Sequence, residues 1–275
     1  MRLILIKNLL LFSDLDGTLL TSEKTISPGN IAAIKRFTDE GGLFTLATGR
    51  SYNSARRYFD SVPINAPMIL YNGAEIYDLK TDKVLYKKTL QPFVRDYLKE
   101  ILECFPTLGT QLTSRKRTDI VNKSDHIIDH VKLENVEYNY CTVDEIEDTP
   151  YKVLFASTAE EIEKLTAFVT AQNYQNVTFV RSEEKYLEML PLGVSKGSAL
   201  LKYKEILSNE NLRTAAIGDH WNDLEMLESA DVSAAPANAV DGIKKQANLV
   251  LRETNNEDAA SKFIEILSKG DGFVG

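Results

Sequence analysis

The sequence predicts an α/β protein: a Rossmann-like, doubly wound parallel sheet interrupted by an inserted α+β unit. Three observations carry that reading. Short apolar runs at residues 9–13, 43–47 and 68–71 alternate with helical patterns and short joins, the pattern of a wound parallel sheet. From about residue 82 the texture changes to shorter, half-polar strands mixed with helices, which fits a mainly antiparallel sheet with one face open to water. The first pattern then returns, with a helix at 196–207 and a buried strand at 214–217. The expected division is a core of residues 1–81 and 186–275, with 82–185 inserted.

Residues 9–13 (Leu9, Leu10, Leu11, Phe12, Ser13) read as a strand buried on both faces. Ser27-Pro28 then fits a helix start, a side-chain cap followed by proline at the first helical position. Ile31, Ala33, Ile34 and Phe37 give that helix an apolar face, and Gly41-Gly42 ends it. The run at 43–47 leads into Thr48-Gly49-Arg50, a second helix is expected at 54–60, and the run at 68–71 stops at Asn72-Gly73-Ala74. In the inserted region strands are expected at 84–86, 109–113, 120–122, 152–156 and 177–180. Helices are expected there at 91–104, 125–133 and 160–172. Residues 270–275 are read as a loose end.

With 275 residues and 43% hydrophobic content, the chain can bury a large core and has room for two domains. Its net charge of −8 argues against a nucleic-acid partner, though not against a phosphorylated small molecule met by a local positive site. Cys104 and Cys141 have no metal-like spacing and form no framework, which suits a reducing compartment. The apolar start is too short to span a bilayer and lacks a small-residue cleavage site. The expectation is a cytoplasmic protein without a membrane partner, a monomer or weak homo-oligomer.

The strand ends carry the chemistry. Asp14 and Asp16 stand two apart where the first strand ends, so in extended chain they project to the same side. Gly17 lets the backbone turn away sharply, and Thr18 adds a hydroxyl. Two acids at the carboxyl edge of a parallel sheet repel unless a cation lies between them, which points to magnesium. The same residues are also ordinary turn formers. Thr48, Asn72 and Asp219 with Asn222 and Asp223 close the other strands at the same inferred edge, and Lys196 opens a helix beside it.

Taken together, these stretches resemble the haloacid dehalogenase-like phosphatases, in particular the Cof-type branch with a large inserted cap. The matching segments are Asp14-Leu15-Asp16-Gly17-Thr18-Leu19-Leu20, Ala47-Thr48-Gly49-Arg50, Tyr71-Asn72-Gly73-Ala74, Gly193-Val194-Ser195-Lys196-Gly197 and Gly218-Asp219-His220-Trp221-Asn222-Asp223. The resemblance implies a magnesium-dependent phosphatase acting on small phosphorylated metabolites, sugar phosphates foremost. It implies Asp14 as nucleophile, Asp16 as general acid and base, and magnesium held by Asp14, the Asp16 backbone carbonyl and Asp219. Gly17, Thr48, Gly49, Asn72, Lys196 and Asn222 would hold phosphate or substrate, and Asp223 would orient Lys196 or a metal-bound water. The inserted unit would choose the substrate. A phosphotransferase or phosphomutase using the same intermediate, or a phosphometabolite-binding protein without turnover, are the alternatives.

Some features depart from the family pattern or stand apart from it. His220-Trp221 places two large side chains where a small residue is common, and Pro236 alters the turn in Ser233-Ala234-Ala235-Pro236-Ala237-Asn238-Ala239. Thr254 to Asp258 reads as a turn and helix start. His126 and His130 have a metal-like spacing but no third ligand, and are expected on a solvated surface. Arg115-Lys116-Arg117 reads as a solvated loop or a guarded hairpin edge, or else a contact for an anionic substrate.

Overall fold

A computed structural model describes residues 6–269, apart from 116, 147, 148 and 210. The chain opens with β1 (Leu9–Ser13), a tight turn over 15–19, α1 (Pro28–Asp39) and β2 (Leu43–Leu46). Ser27 Oγ accepts the Asn30 amide at 3.1 Å, so the expected side-chain cap starts α1, and Pro28 follows at its first position. A short α2 (Tyr52–Ala55) and a 3₁₀ turn at Arg56–Tyr58 stand where one helix was expected. Then come β3 (Met68–Leu70), β4 (Glu75–Asp78) and β5 (Lys83–Lys87), which form a three-stranded sheet in the order β3-β4-β5.

The inserted elements are α3 (Val94–Cys104), β6 (Gly109–Thr113), β7 (Thr118–Asn122), α4 (Asp125–Glu134), β8 (Asn139–Tyr140), β9 (Lys152–Ala156), α5 (Ala159–Gln172), β10 (Val177–Glu183) and β11 (Tyr186–Pro191). After them the chain forms α6 (Lys196–Leu207), β12 (Arg213–Ile217), α7 (Leu224–Ser229), β13 (Val232–Ala235), α8 (Asp241–Gln246), β14 (Leu249–Val250) and α9 (Ala259–Lys269).

Two compact units result. The first takes the chain to Gly49, Ala55–Tyr86 and from Ser195 onward; the second takes Arg50–Ser54 and Lys87–Val194. These limits differ from the expected 82 and 186, and strand pairing is the reason. Val84 to Tyr86 belong to β5, beside β4, not to the insert. At the other end β11 pairs with both β10 and β9, so a division at 185/186 would cut a hairpin from its sheet.

The first unit is built on a five-stranded sheet, β14-β13-β12-β1-β2, parallel at every pairing. β1 lies between β12 and β2, which is why its sequence is apolar throughout: both faces are covered. Phe12 meets Tyr203 of α6 edge to face at 5.3 Å, and Leu10, Ala216, Leu200 and Met226 fill the same core. β13 and β14, not foreseen from sequence, extend the sheet beyond β12, and Pro236 follows directly on the end of β13.

The second unit holds a six-stranded sheet, β10-β11-β9-β6-β7-β8, antiparallel except for β7 with β8. α3 and α5 supply Leu98, Ile101, Ile162 and Leu165 to a core with Val153, Phe155, Leu187 and Met189. Alternation along the strands sends Gln111, Thr113, Lys152 and Glu188 to the opposite face, where all four are buried. Lys152 and Glu188 pair there at 2.9 Å. Arg50 joins this unit through Ser54, whose hydroxyl reaches the Glu134 carbonyl at 3.3 Å.

Candidate active site

The site lies in the first unit, where β1, β2 and β12 end side by side. The Asp14 amide donates to Ile217 O at 2.9 Å and the Ala47 amide to Ser13 O at 2.9 Å, so sheet pairing runs right up to the acidic residue. The turn after Asp14 requires glycine. Gly17 has φ +76°, and a Cβ there would stand 2.4 Å from Asp219 Oδ2. The Thr18 hydroxyl donates to Asp219 Oδ1 at 2.8 Å, and so ties the β1 turn to the β12 turn.

Lys196 is fixed by the start of its helix. Ser195 Oγ accepts the Ser198 amide at 3.0 Å, which sets Lys196 at the first position of α6. A Cβ on Gly197 would stand 2.4 Å from the Glu225 backbone, so this glycine lets α6 and α7 touch. The fully buried Lys196 ammonium donates to Asp14 Oδ1 at 2.5 Å and Asp223 Oδ1 at 2.6 Å. Asp223 uses its other oxygen to accept the amides of Asp219 at 2.9 Å and His220 at 3.1 Å. One carboxylate thus shapes the loop that carries Asp219 and also orients the lysine.

Thr48 and Asn72 form the other wall. The Asn72 amide donates to Thr48 O at 3.0 Å, and its side-chain oxygen accepts from Asn222 Nδ2 at 3.0 Å. Asn72 holds this position with φ +55°, a left-handed conformation that asparagine tolerates. A Cβ on Gly49 would lie 2.8 Å from Asn72 Oδ1. The structure therefore brings Asp14, Gly17, Lys196, Asp219 and Asp223 into one cluster and Thr48, Gly49, Asn72 and Asn222 into a neighbouring one. The Asp16 side chain, by contrast, is half-exposed and paired with Lys24 at 2.8 Å.

The electrostatics are those of a cation site. Oxygens of Asp14, Asp219 and Asp223 lie within 4.8 Å of one another, the only such group among the described residues. Burial pushes the Asp14 carboxyl up to about 7, although the Lys196 ammonium opposes the rise; Asp223 adds to it. Burial raises Asp219 well above the carboxylate range, with Asp14 and Asp223 adding to it. For Lys196 burial works against the charge, but the carboxylates of Asp14 and Asp223 outweigh it and the pKa rises. One buried ammonium cannot balance three ionised carboxylates, so burial favours protons on Asp14 and Asp219, and a hard divalent cation with oxygen ligands fits in place of those protons.

Several positioning residues were not singled out from sequence. Asn238 Nδ2 donates to Gly17 O at 2.7 Å while its oxygen accepts the Asn255 amide at 2.8 Å. Asn255 Nδ2 in turn reaches Leu20 O at 2.8 Å, and Asn256 bonds Ser22. Thr254 to Asp258 does form a capped turn, as expected, and it also laces the acidic loop from outside. The nearest sequence signal was the Pro236 departure beside Asn238.

The secondary candidates fall elsewhere. His130 is buried, not solvated: it stacks edge-on against Tyr186 at 4.8 Å and faces Glu134 at 3.5 Å, because α4 turns it toward the sheet. Burial would raise Glu134, but His130, Lys152 and Arg50 hold it down at about 2. His126 is half-buried and takes no part in a metal-like group among the described residues. Arg115 lies over the Tyr52 ring and Arg117 pairs with Asp119 at 2.5 Å at the β6–β7 hairpin, while Lys116 lies outside the described residues, as do 270–275. Cys104 and Cys141 are free thiols. No described helix is long and apolar enough to cross a membrane.

Comparison with known proteins agrees with this geometry. The family model for haloacid dehalogenase-like hydrolases matches residues 11–264. The 5-amino-6-(5-phospho-D-ribitylamino)uracil phosphatase YitU of Bacillus subtilis is 26% identical over 265 residues, covering 94% of this chain and 97% of that protein. The pyridoxal phosphate phosphatase YbhA of Escherichia coli is 27% identical over 267 residues, with 91% and 95% covered. A haloacid dehalogenase-like hydrolase from Bacteroides thetaiotaomicron superposes with a TM-score of 0.81 at 26% identity, over 93% of this chain and 98% of that one. The chain belongs to the haloacid dehalogenase-like hydrolases.

Proposed function

We propose that this protein is a magnesium-dependent phosphatase for small phosphate monoesters, sugar phosphates foremost, working through an aspartyl-phosphate on Asp14. The observation that carries the proposal is the buried Lys196 ammonium, shared between Asp14 and Asp223 beside Asp219. An Asp14 oxygen attacks phosphorus, and the ester P–O bond breaks. Asp16 gives its proton to the departing alcohol, then takes a proton from the water that attacks the acyl phosphate. That second step releases inorganic phosphate and restores Asp14. Lys196 meets charge on the phosphoryl oxygens, while Thr48, Gly49, Asn72 and Asn222 hold the group. Asp14, the Asp16 carbonyl and Asp219 would hold magnesium, which when bound supplies positive charge against the anionic substrate.

For Asp16 to act, its carboxyl must exchange Lys24 for substrate. We assign choice of the leaving group in part to the inserted unit.

Phosphate release from a panel of hexose and pentose phosphates, nucleotides and pyridoxal phosphate, with magnesium present or chelated, tests the proposal. Magnesium-dependent release is expected. No release from a folded protein would overturn it, in favour of a transferase needing an acceptor or of a binding protein.

The raised Asp14 pKa makes a second prediction. In the metal-free protein Asp14 holds its proton to about pH 7 when folded, against an ordinary aspartate value of 3.8, so the native state binds more protons between those limits. This contribution to stability is fully present below 3.8 and is lost as pH rises through about 7. Magnesium must displace the same proton, so its affinity rises about tenfold from pH 6 to pH 8 if Asp14 alone titrates. Calorimetry in two buffers of different ionisation enthalpy reads the released proton; a pH-independent affinity would refute the shift.

A further inference from the structure

We infer that Trp221 is a specificity-determining residue: its indole forms a stacking surface for a planar ring on the leaving group. The inference deepens the phosphatase reading and rests on it. Trp221 stands in the loop between Asp219 and Asn222, and is 46% exposed. Exposed large side chains are common and carry little meaning singly. Among the described residues, the others of this unit, Leu85, Leu201 and Val250, lie on β5, α6 and β14. Trp221 alone of these stands in the chain between site residues, Asp219 before it and Asn222 after it.

The ring is also held in place. A Cβ on Gly242 would stand 1.9 Å from Trp221 Cη2, so the outer edge of the indole lies directly on the first turn of α8. The start of α8 is itself fixed to the site, because the Val240 amide donates to Asp219 O at 3.0 Å. The loop that carries Trp221 is held as well: the Asp223 carboxylate accepts the Asp219 and His220 amides, and Asn222 is tied to Asn72. Such an arrangement is pre-organised, so a ligand ring meets a surface that needs little ordering. A rigid, partly exposed indole suits stacking with pyrimidine, purine or pyridine rings. A bare sugar offers it less. The ligand class is therefore a small phosphate monoester that carries a planar heterocycle.

The test compares uridine 5′-monophosphate and adenosine 5′-monophosphate with ribose 5-phosphate, which lacks only the base. In the wild type kcat/KM favours the ring-bearing esters, and in Trp221→Ala that preference falls by about tenfold or more, the scale of one stacked base. Trp221→Phe retains most of it, and Trp221→Leu does not. A preference unchanged within about twofold across the variants would overturn the inference.

Since Trp221 is the single tryptophan, fluorescence gives an independent reading. In Asp14→Asn protein, which holds unhydrolysed ester, the nucleotides should shift or quench the emission and ribose 5-phosphate should leave it nearly unchanged. Equal responses to all three esters would overturn the inference. If the wild type hydrolyses none of these three, the phosphatase reading is decided by the wider panel, and this titration still decides whether the indole stacks. Should Trp221→Ala fail to fold, Gly242→Ala displaces the ring without removing it and should weaken the same preference.

Discussion

Asp14→Asn is expected to abolish turnover, with kcat falling on the order of 10⁴-fold or more, while the fold survives. The substitution is nearly isosteric and leaves an oxygen that can still accept from Lys196, which keeps its other partner in Asp223. What disappears is the charged oxygen able to attack phosphorus. Stability should hold or increase slightly, because burial already disfavours the Asp14 carboxylate in the metal-free protein. Phosphate release and thermal melting, measured on the same preparation, separate the two effects. Substantial turnover in a folded variant would remove Asp14 from the role of nucleophile.

The second large effect is expected at Lys196, where activity and stability fall together. Lys196→Met deletes the buried ammonium and leaves the carboxylates of Asp14 and Asp223 facing each other without their shared partner. Breaking one side of a buried ion pair costs about 3–5 kcal/mol, so the metal-free variant should melt well below the wild type. Loss of the charge that meets the phosphoryl oxygens should lower kcat by about 10²–10³-fold. Magnesium should recover part of the stability and little of the rate. Lys196→Arg separates the two roles: it keeps the charge but not the compact point donor, so it should melt closer to the wild type and still turn over slowly. A Lys196→Met enzyme with unchanged kcat would exclude the lysine from the chemistry.

Both expectations depend on residues far apart in the chain. Asp14 and Lys196 are 182 positions apart, and the Thr18 to Asp219 bond spans 201. The residue types were nevertheless readable, because each sits at a local boundary with its own signature. Asp14 ends an apolar strand, Gly17 turns the chain away, Lys196 opens a helix, and Asp219 follows a buried run. Strand and helix patterns arise from interactions within a few residues, so β1, β6, β9 and α6 have the limits expected from sequence.

What the sequence alone determined was therefore the order of elements, the parallel core with its insert, and the set of acids, amides and one lysine at strand and helix ends. What only the tertiary structure decided was which of them touch, and which bystanders hold them. Whether residues 84–86 and 186–191 belong to core or insert depends on the strands they pair with, not on their own composition. Asn238 and Asn255 look like loop residues until the chain places them against Gly17 and Leu20. His130 looks solvated until α4 turns it to the sheet, and Lys24 gains meaning only opposite Asp16. Local periodicity records a residue's own backbone, whereas burial and hydrogen bonding across the chain depend on partners that no local pattern specifies.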